Sequence, residues 1–260
     1  MKTRTAIAAL LALTAGAATS TAAFAKPPQH AAIHSYVLLD RTGSMEPIWS
    51  EALSSVNAYA DGLASLDGGP RVDADITLAV FDAQEGLQFD VLRDGVDAQN
   101  WHDVTNREVS PRGMTPLYDA IGRIVSLAEK DKPEKAVIVI MTDGEENSSQ
   151  EMTKVAAKAA LDRVRAKGWE VVFLGTEFSN FDDATGVGQT ASRNMAVSKD
   201  QLSDSMNRLA QKSKDYANGA SASVEWNAED RAAAKEEEVK ERNSGNQSVP
   251  RGQSPSRGNQ

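Results

Sequence analysis

Ile33-His34-Ser35-Tyr36-Val37-Leu38-Leu39-Asp40-Arg41-Thr42-Gly43-Ser44 decides how the rest of this 260-residue chain is read. Residues 33–39 form a near-continuous apolar run, the mark of a strand buried on both faces of a parallel sheet. Asp40 to Ser44 then crowds a carboxylate and two hydroxyls into one turn. A long amphipathic stretch starts near Met45, with Trp49, Ala52, Leu53, Val56, Ala60 and Leu63 recurring at helical spacing. The helix predicted there runs to about Leu66, where Asp67-Gly68-Gly69-Pro70 stops it.

Reading outward, Ala74 to Phe81 alternates as a second strand, and Leu87 to Leu92 is a short strand close enough to pair with it as a hairpin. Residues 93–114 read mostly as loop. Thr115 suits the cap, and Pro116 the first position, of a helix running to about Glu129. Ala136 to Met141 is all apolar and rich in β-branched residues, so it reads as another central strand. A helix follows from about Gln150 to Ala166, then a strand at 170–174 and a brief last strand at 195–197. Ser198 with Gln201 has the pattern of a capping box, opening a helix that fades near Ala217. This rhythm predicts an α/β fold: a doubly wound, mostly parallel sheet with helices on both faces. Ligands of such sheets bind outside the carboxyl ends of the strands, where strand order reverses. Asp40, Ser44 and Asp143 all follow predicted central strands, and Thr115 starts a helix, so three loops are expected to converge on that rim.

Composition narrows the function. A net charge of −9 argues against nucleic acid as the main partner, because that affinity rests on cationic contacts to phosphates. It also argues against docking on anionic lipid. The absence of Cys excludes thiol chemistry, disulfides and Cys-ligated zinc. Residues 1–25 read as a secretory signal peptide: Lys2 and Arg4 form the positive start, Ala6 to Ala18 the apolar centre, and Ala23-Phe24-Ala25 the cleavage site. That implies an exported protein, periplasmic or secreted, with no integral membrane segment in the mature chain. Residues 26–32 form a short lead-in, 33–227 one folded domain, and 228–260 a frayed charged helix followed by a polar tail with nothing to bury.

The candidate site is a set of oxygens. A small hard cation such as Mg²⁺ takes about six oxygen ligands and usually keeps some as water. Hydroxyls of Thr42, Ser44 and Thr115 are suitable neutral ligands, and Asp40 and Asp143 supply the charge, directly or by gripping metal-bound waters. His30, His34 and His102 share no ligand spacing and read as structural or surface residues. Glu145-Glu146 and Asp182-Asp183 read as solvated loop charges, Glu236-Glu237-Glu238 as a solvated helix face, and Trp169 and Trp226 as packing residues.

Asp40-Arg41-Thr42-Gly43-Ser44-Met45 resembles the first motif of the von Willebrand factor type A domain, Asp-x-Ser-x-Ser, which carries that family's metal-ion-dependent adhesion site. Thr115 in Gly113-Met114-Thr115-Pro116-Leu117-Tyr118-Asp119 matches the Thr of a later loop, and Asp143 in Met141-Thr142-Asp143-Gly144 matches the last Asp. The resemblance covers roughly residues 33–217, and Arg112 to Ile121 and Val139 to Ser148 particularly resemble stand-alone bacterial members. It implies a Rossmann-like sheet with one antiparallel edge strand, here residues 87–92. It also implies metal ligation by Asp40, Thr42, Ser44, Thr115 and Asp143, with Mg²⁺, Mn²⁺ or Ca²⁺ as the cation. The implied partner is a protein presenting an Asp or Glu carboxylate to the metal, in a module that is not an enzyme. Thr42 departs from the usual Ser; its hydroxyl survives, but its methyl restricts the rotamer.

Other classes stand beside this one. A metal-dependent phosphatase or hydrolase would use Asp40-x-Thr42 as a loose echo of an Asp-x-Asp motif, but Thr42 sits where the second carboxylate is needed for general acid/base work. In a third reading the metal only staples the loops, and the polar tail makes the contacts of a scaffold.

Overall fold

The computed structural model describes residues 31–66, 71–176 and 185–247. The predicted signal peptide, most of the lead-in, the breakers at 67–70, Asp182-Asp183 and the tail from 248 lie outside the described residues. Strand β1 spans Ala31–Asp40, β2 Val72–Ala83, β3 Leu87–Asp97, β4 Ala136–Thr142, β5 Glu170–Thr176 and β6 Asn194–Val197. Helix α1 spans Trp49–Ala64, α2 Leu117–Asp131, α3 Lys154–Arg165, α4 Leu202–Asn218, α5 Ala228–Ala233 and α6 Glu236–Gln247.

The strands form one sheet in the order β3-β2-β1-β4-β5-β6. All neighbours are parallel except β2 and β3, which pair antiparallel, so the edge strand expected from the hairpin is there. Period-two alternation splits the core across the sheet. On one face Val37, Leu39, Val139, Met141, Val172 and Leu174 cluster with Leu53, Val56 and Leu63 of α1 and Met206 and Leu209 of α4. On the other, Tyr36, Leu38, Ile138, Ile140, Val171 and Phe173 cluster with Ile121 and Ile124 of α2 and Leu161 and Val164 of α3. Every residue of β4 is buried, as a strand covered on both faces must be. β1 lies between β2 and β4, and the chain leaves it toward β2 before returning to β4 on its other side. The carboxyl ends of β1 and β4 therefore flank the point of reversal.

Several local expectations are corrected. β3 continues to Asp97, beyond the expected end at Leu92, although only half of its side chains are covered. The turn after Asp40 first forms a 3-10 helix, Gly43–Ile48, with Pro47 inside it, and α1 begins only at Trp49. Thr115 does not cap α2: Pro116 holds that position with no side-chain cap bond. The capping box at Ser198 is not formed, because the Ser198 hydroxyl donates to the Asp200 side chain instead.

The charged helix expected after residue 227 is docked, not frayed. Asn227 and Asp230 close a true capping box at the start of α5. Val224, Trp226, Ala234 and Val239 are buried. Glu236, read as a solvated charge, is buried and accepts the Ala196 N–H of edge strand β6 at 3.1 Å, while pairing with Arg231 at 2.8 Å. The Ala234 carbonyl accepts the Ser198 N–H at 3.0 Å. The segment thus covers strand groups that an open sheet edge would expose. No helix among the described residues is long and apolar enough to cross a membrane.

Candidate metal centre

Asp40 ends β1 with its side chain fully buried. One carboxylate oxygen accepts the Thr42 N–H at 2.7 Å, and the other accepts the Thr142 hydroxyl from the end of β4 at 2.7 Å. Burial pushes its pKa up to about 7; the bonds from Thr142 and Thr42 oppose that rise, and the nearby Asp143 charge adds to it. Asp143 is raised as well, chiefly by burial, against a hydrogen bond from Ser44. Among the described residues neither carboxylate forms an ion pair.

The hydroxyls complete a chain across three loops. Thr42 Oγ1 and Ser44 Oγ lie 3.0 Å apart, Thr115 Oγ1 reaches Thr42 Oγ1 at 3.4 Å, and Ser44 Oγ donates to Asp143 Oδ1 at 2.8 Å. Gly144 closes over them: a Cβ there would stand 3.4 Å from both Ser44 Oγ and Thr115 Oγ1. All five residues singled out in the sequence are therefore brought together at the carboxyl ends of β1 and β4. Two uncompensated carboxylates beside three neutral hydroxyls fit a hard divalent cation, which prefers oxygen ligands. A thiolate site is ruled out by the absence of Cys, and the site's oxygen donors are two carboxylates and three hydroxyls; no group of three or more His, Cys, Asp or Glu is placed to hold a metal among the described residues.

A ring of hydrogen bonds holds these loops against one another. The Gly113 carbonyl accepts the Gly43 N–H at 3.2 Å, and the Arg41 carbonyl accepts the Arg112 N–H at 2.8 Å. Thr115 is clamped by Asn147, whose side-chain oxygen accepts the Thr115 N–H at 2.9 Å while its own N–H donates to the Thr115 carbonyl at 3.0 Å. Glu146, read from sequence as a solvated charge, accepts the N–H groups of Tyr118, Ser148 and Ser149 at 3.0, 2.9 and 2.7 Å. It therefore caps α2 in place of Thr115, which frees the Thr115 hydroxyl for the site. Buried Asp119 accepts the N–H groups of Gln150, Glu151 and Met152 at 2.8, 2.9 and 2.6 Å.

Asp82, at the end of β2, is fully buried and pairs with Arg41 at 2.7 Å and Arg112 at 3.1 Å; Arg41 also reaches Asp90 at 2.6 Å. Arg41 belongs to the first motif, yet its charge is turned away from the carboxylates of the site. Sequence reading did not single out Asp82, Asp119 or Asn147. The signal available for Asp119 was an acid on the apolar face of a helix's first turn, where it must find donors.

Neither a family model nor a curated protein matches the sequence. Solved structures do match in shape. The pilus adhesin SpaC from Lactobacillus rhamnosus GG, in its open conformation, superposes with a TM-score of 0.56 at 14% identity, over 72% of this chain and 30% of that one. The vWF domain of the type V pili tip protein Mfa5 from Porphyromonas gingivalis superposes with a TM-score of 0.52 at 11% identity, over 70% of this chain and 95% of that domain. Proximal thread matrix protein 1 from the mussel byssus, solved with a zinc-occupied MIDAS motif, gives 0.50 at 17% identity over 71% of this chain. This chain spans less than half the length of the mussel protein, 46%, and less than a third of SpaC.

Proposed function

We propose that this chain, whose fold is that of von Willebrand factor type A domains, is a metal-dependent protein-binding module and not an enzyme. The observation that carries the reading is the hydroxyl chain Thr115–Thr42–Ser44–Asp143 lying beside buried Asp40, with no Lys, Arg or His of the described residues paired with either carboxylate. Thr42, Ser44 and Thr115 would hold the metal by their hydroxyls, and Asp40 and Asp143 directly or through water. Mg²⁺ is the cation we assign, with Mn²⁺ and Ca²⁺ as the other hard ions such oxygens accept. With both carboxylates gripping it through water, hydroxyl ligands leave the bound ion much of its positive charge, which then attracts an anionic ligand. We assign that ligand as an Asp or Glu carboxylate of a protein partner. The adhesin and pilus-tip neighbours agree with a binding role, as does the hydroxyl of Thr42 where a phosphatase would need its second carboxylate. Residues 1–25 would direct export to the periplasm or beyond, which N-terminal sequencing of the mature protein checks by finding Lys26 first.

Calorimetric titration of the chelator-treated chain with Mg²⁺ and Mn²⁺ tests the site. One-to-one binding is expected, lost in Asp40→Asn and weakened in Ser44→Ala, with both variants keeping the parent's circular dichroism. Absence of binding in the parent, or undiminished binding in both variants, sinks the reading.

A further inference from the structure

We propose that Arg112 and Met114 form a second recognition point beside the metal site, one that selects an acidic partner segment carrying an apolar residue and a second carboxylate on the face that presents the metal-binding acid. The inference rests on the proposed metal-dependent function and assigns the chemistry of its partner.

The backbone of this rim is fastened almost group by group. The Arg112 N–H is held by Arg41, the Gly113 carbonyl by Gly43, and Met114 exchanges two hydrogen bonds with Ala83 at 2.9 and 3.1 Å. Gly113 adopts φ +72°, and a Cβ there would stand 2.4 Å from the Ala83 carbonyl oxygen, so only glycine lets the loop lie this close to β2. A pinned backbone presents its side chains with little ordering entropy left to lose on binding.

Those side chains are unusual for a surface. Met114 is 53% exposed, one of four exposed large apolar residues among those described, and it directly precedes Thr115. Arg112 uses Nε on Asp82, which fixes the guanidinium plane, while its side chain stays 43% exposed and its outer nitrogens face no acceptor among the described residues. A guanidinium held by one edge offers the other to a carboxylate in a fixed fork. Arg112 and Thr115 are three residues apart, so their α-carbons lie within about 11 Å. Along an extended peptide, alternate side chains share a face, and the first, third and fifth span about 13 Å. Because the Arg112 guanidinium stands at the end of a long side chain, beyond its α-carbon, a segment of the form acid-x-apolar-x-acid is long enough to follow the order metal, Met114, Arg112. On a chain of net charge −9, the exposed guanidinium edge of Arg112 beside apolar Met114 is also what would separate such a partner from acidic surfaces in general.

The probe is the peptide acetyl-Asp-Ser-Leu-Ser-Glu-amide, titrated calorimetrically into the Mn²⁺-saturated chain. Two relatives, with Gln for Glu and with Ser for Leu, complete a double-mutant cycle against Arg112→Gln and Met114→Ser. The parent should prefer the Glu peptide over the Gln peptide by about three- to fivefold, the reach of a half-exposed ion pair. That preference should vanish in Arg112→Gln, and the preference for Leu over Ser should vanish in Met114→Ser. If Mn²⁺ binds and the parent ranks the three peptides equally, or either variant keeps the parent's ranking, the second recognition point is wrong while the metal module stands. If the parent binds no Mn²⁺, the functional reading fails and this inference falls with it.

Discussion

Asp40 and Asp82 end neighbouring parallel strands, and both are fully buried. Asp82 carries its counter-charge within the protein: two arginines meet it, one of them from the turn that follows Asp40 itself. Among the described residues Asp40 meets the Thr42 amide and the hydroxyls of Thr142 and Thr42, and the nearby charge that acts on it is another carboxylate, Asp143. The same residue type at the same depth is thus a finished structural joint in one place and an unbalanced charge in the other. A buried charge without compensation is costly, so the second arrangement persists where something from outside completes it.

The largest break in this comparison should come from Asp82→Ala. It leaves Arg41 buried with half of its pairing gone, and urea unfolding in chelator should show a loss of about 3–5 kcal/mol. Asp40→Asn, under the same conditions, should change stability by less than about 1 kcal/mol, because the amide oxygen can still accept a hydrogen bond. Equal losses in the two variants would erase the distinction. Adding Mn²⁺ at about one hundred times its Kd should stabilise the parent by about 2.7 kcal/mol and leave Asp40→Asn unmoved, read from the same unfolding curves. Asn147→Ala leaves the Thr115 N–H without its partner and should cost about 1–3 kcal/mol, together with a weaker metal titration. If its metal affinity equals the parent's, the clamp does not position Thr115.

The smallest effect concerns the opposite end of β1. Burial lowers the pKa of His34 below its usual 6.5, against the pull of Asp75, Asp131 and Asp94. The folded state then binds the proton less readily than the unfolded chain. Its contribution to stability is complete above pH 6.5 and is lost as the pH falls from there toward the lowered folded value. His34→Gln should flatten that part of the stability profile between pH 7.5 and 5, while metal binding at pH 7.5 stays as in the parent. An unchanged slope in the variant would assign the acid sensitivity to other groups.

Much of the scaffold is legible in sequence because its signals are local. The apolar runs at 33–39 and 136–141 identify two strands buried on both faces, and the turn residues after Asp40 stand out for their oxygen content. β3 beyond Leu92 was not legible: an edge strand exposes one side, so Arg93, Asp94 and Gly95 look like loop until β2 supplies the hydrogen bonds. Docking of α6 was hidden for a similar reason, since Glu236 reads as a solvent charge and its partner, Ala196, lies 40 residues away. The cap of α2 comes from Glu146, 28 residues beyond the Tyr118 N–H it accepts.

By itself the sequence determined the α/β alternation, the central strands and the identity of the oxygen-bearing residues in the loops after them, because each depends on neighbours within a few positions along the chain. Only the tertiary structure decided that Thr42, Ser44, Thr115 and Asp143 touch, that Asn147 and Glu146 hold the loops that carry them, and that Arg41 turns away to Asp82. Those outcomes depend on charges and hydrogen-bonding groups from distant segments being buried together, and the counter-charge beside the buried carboxylate is what separates balanced Asp82 from Asp40.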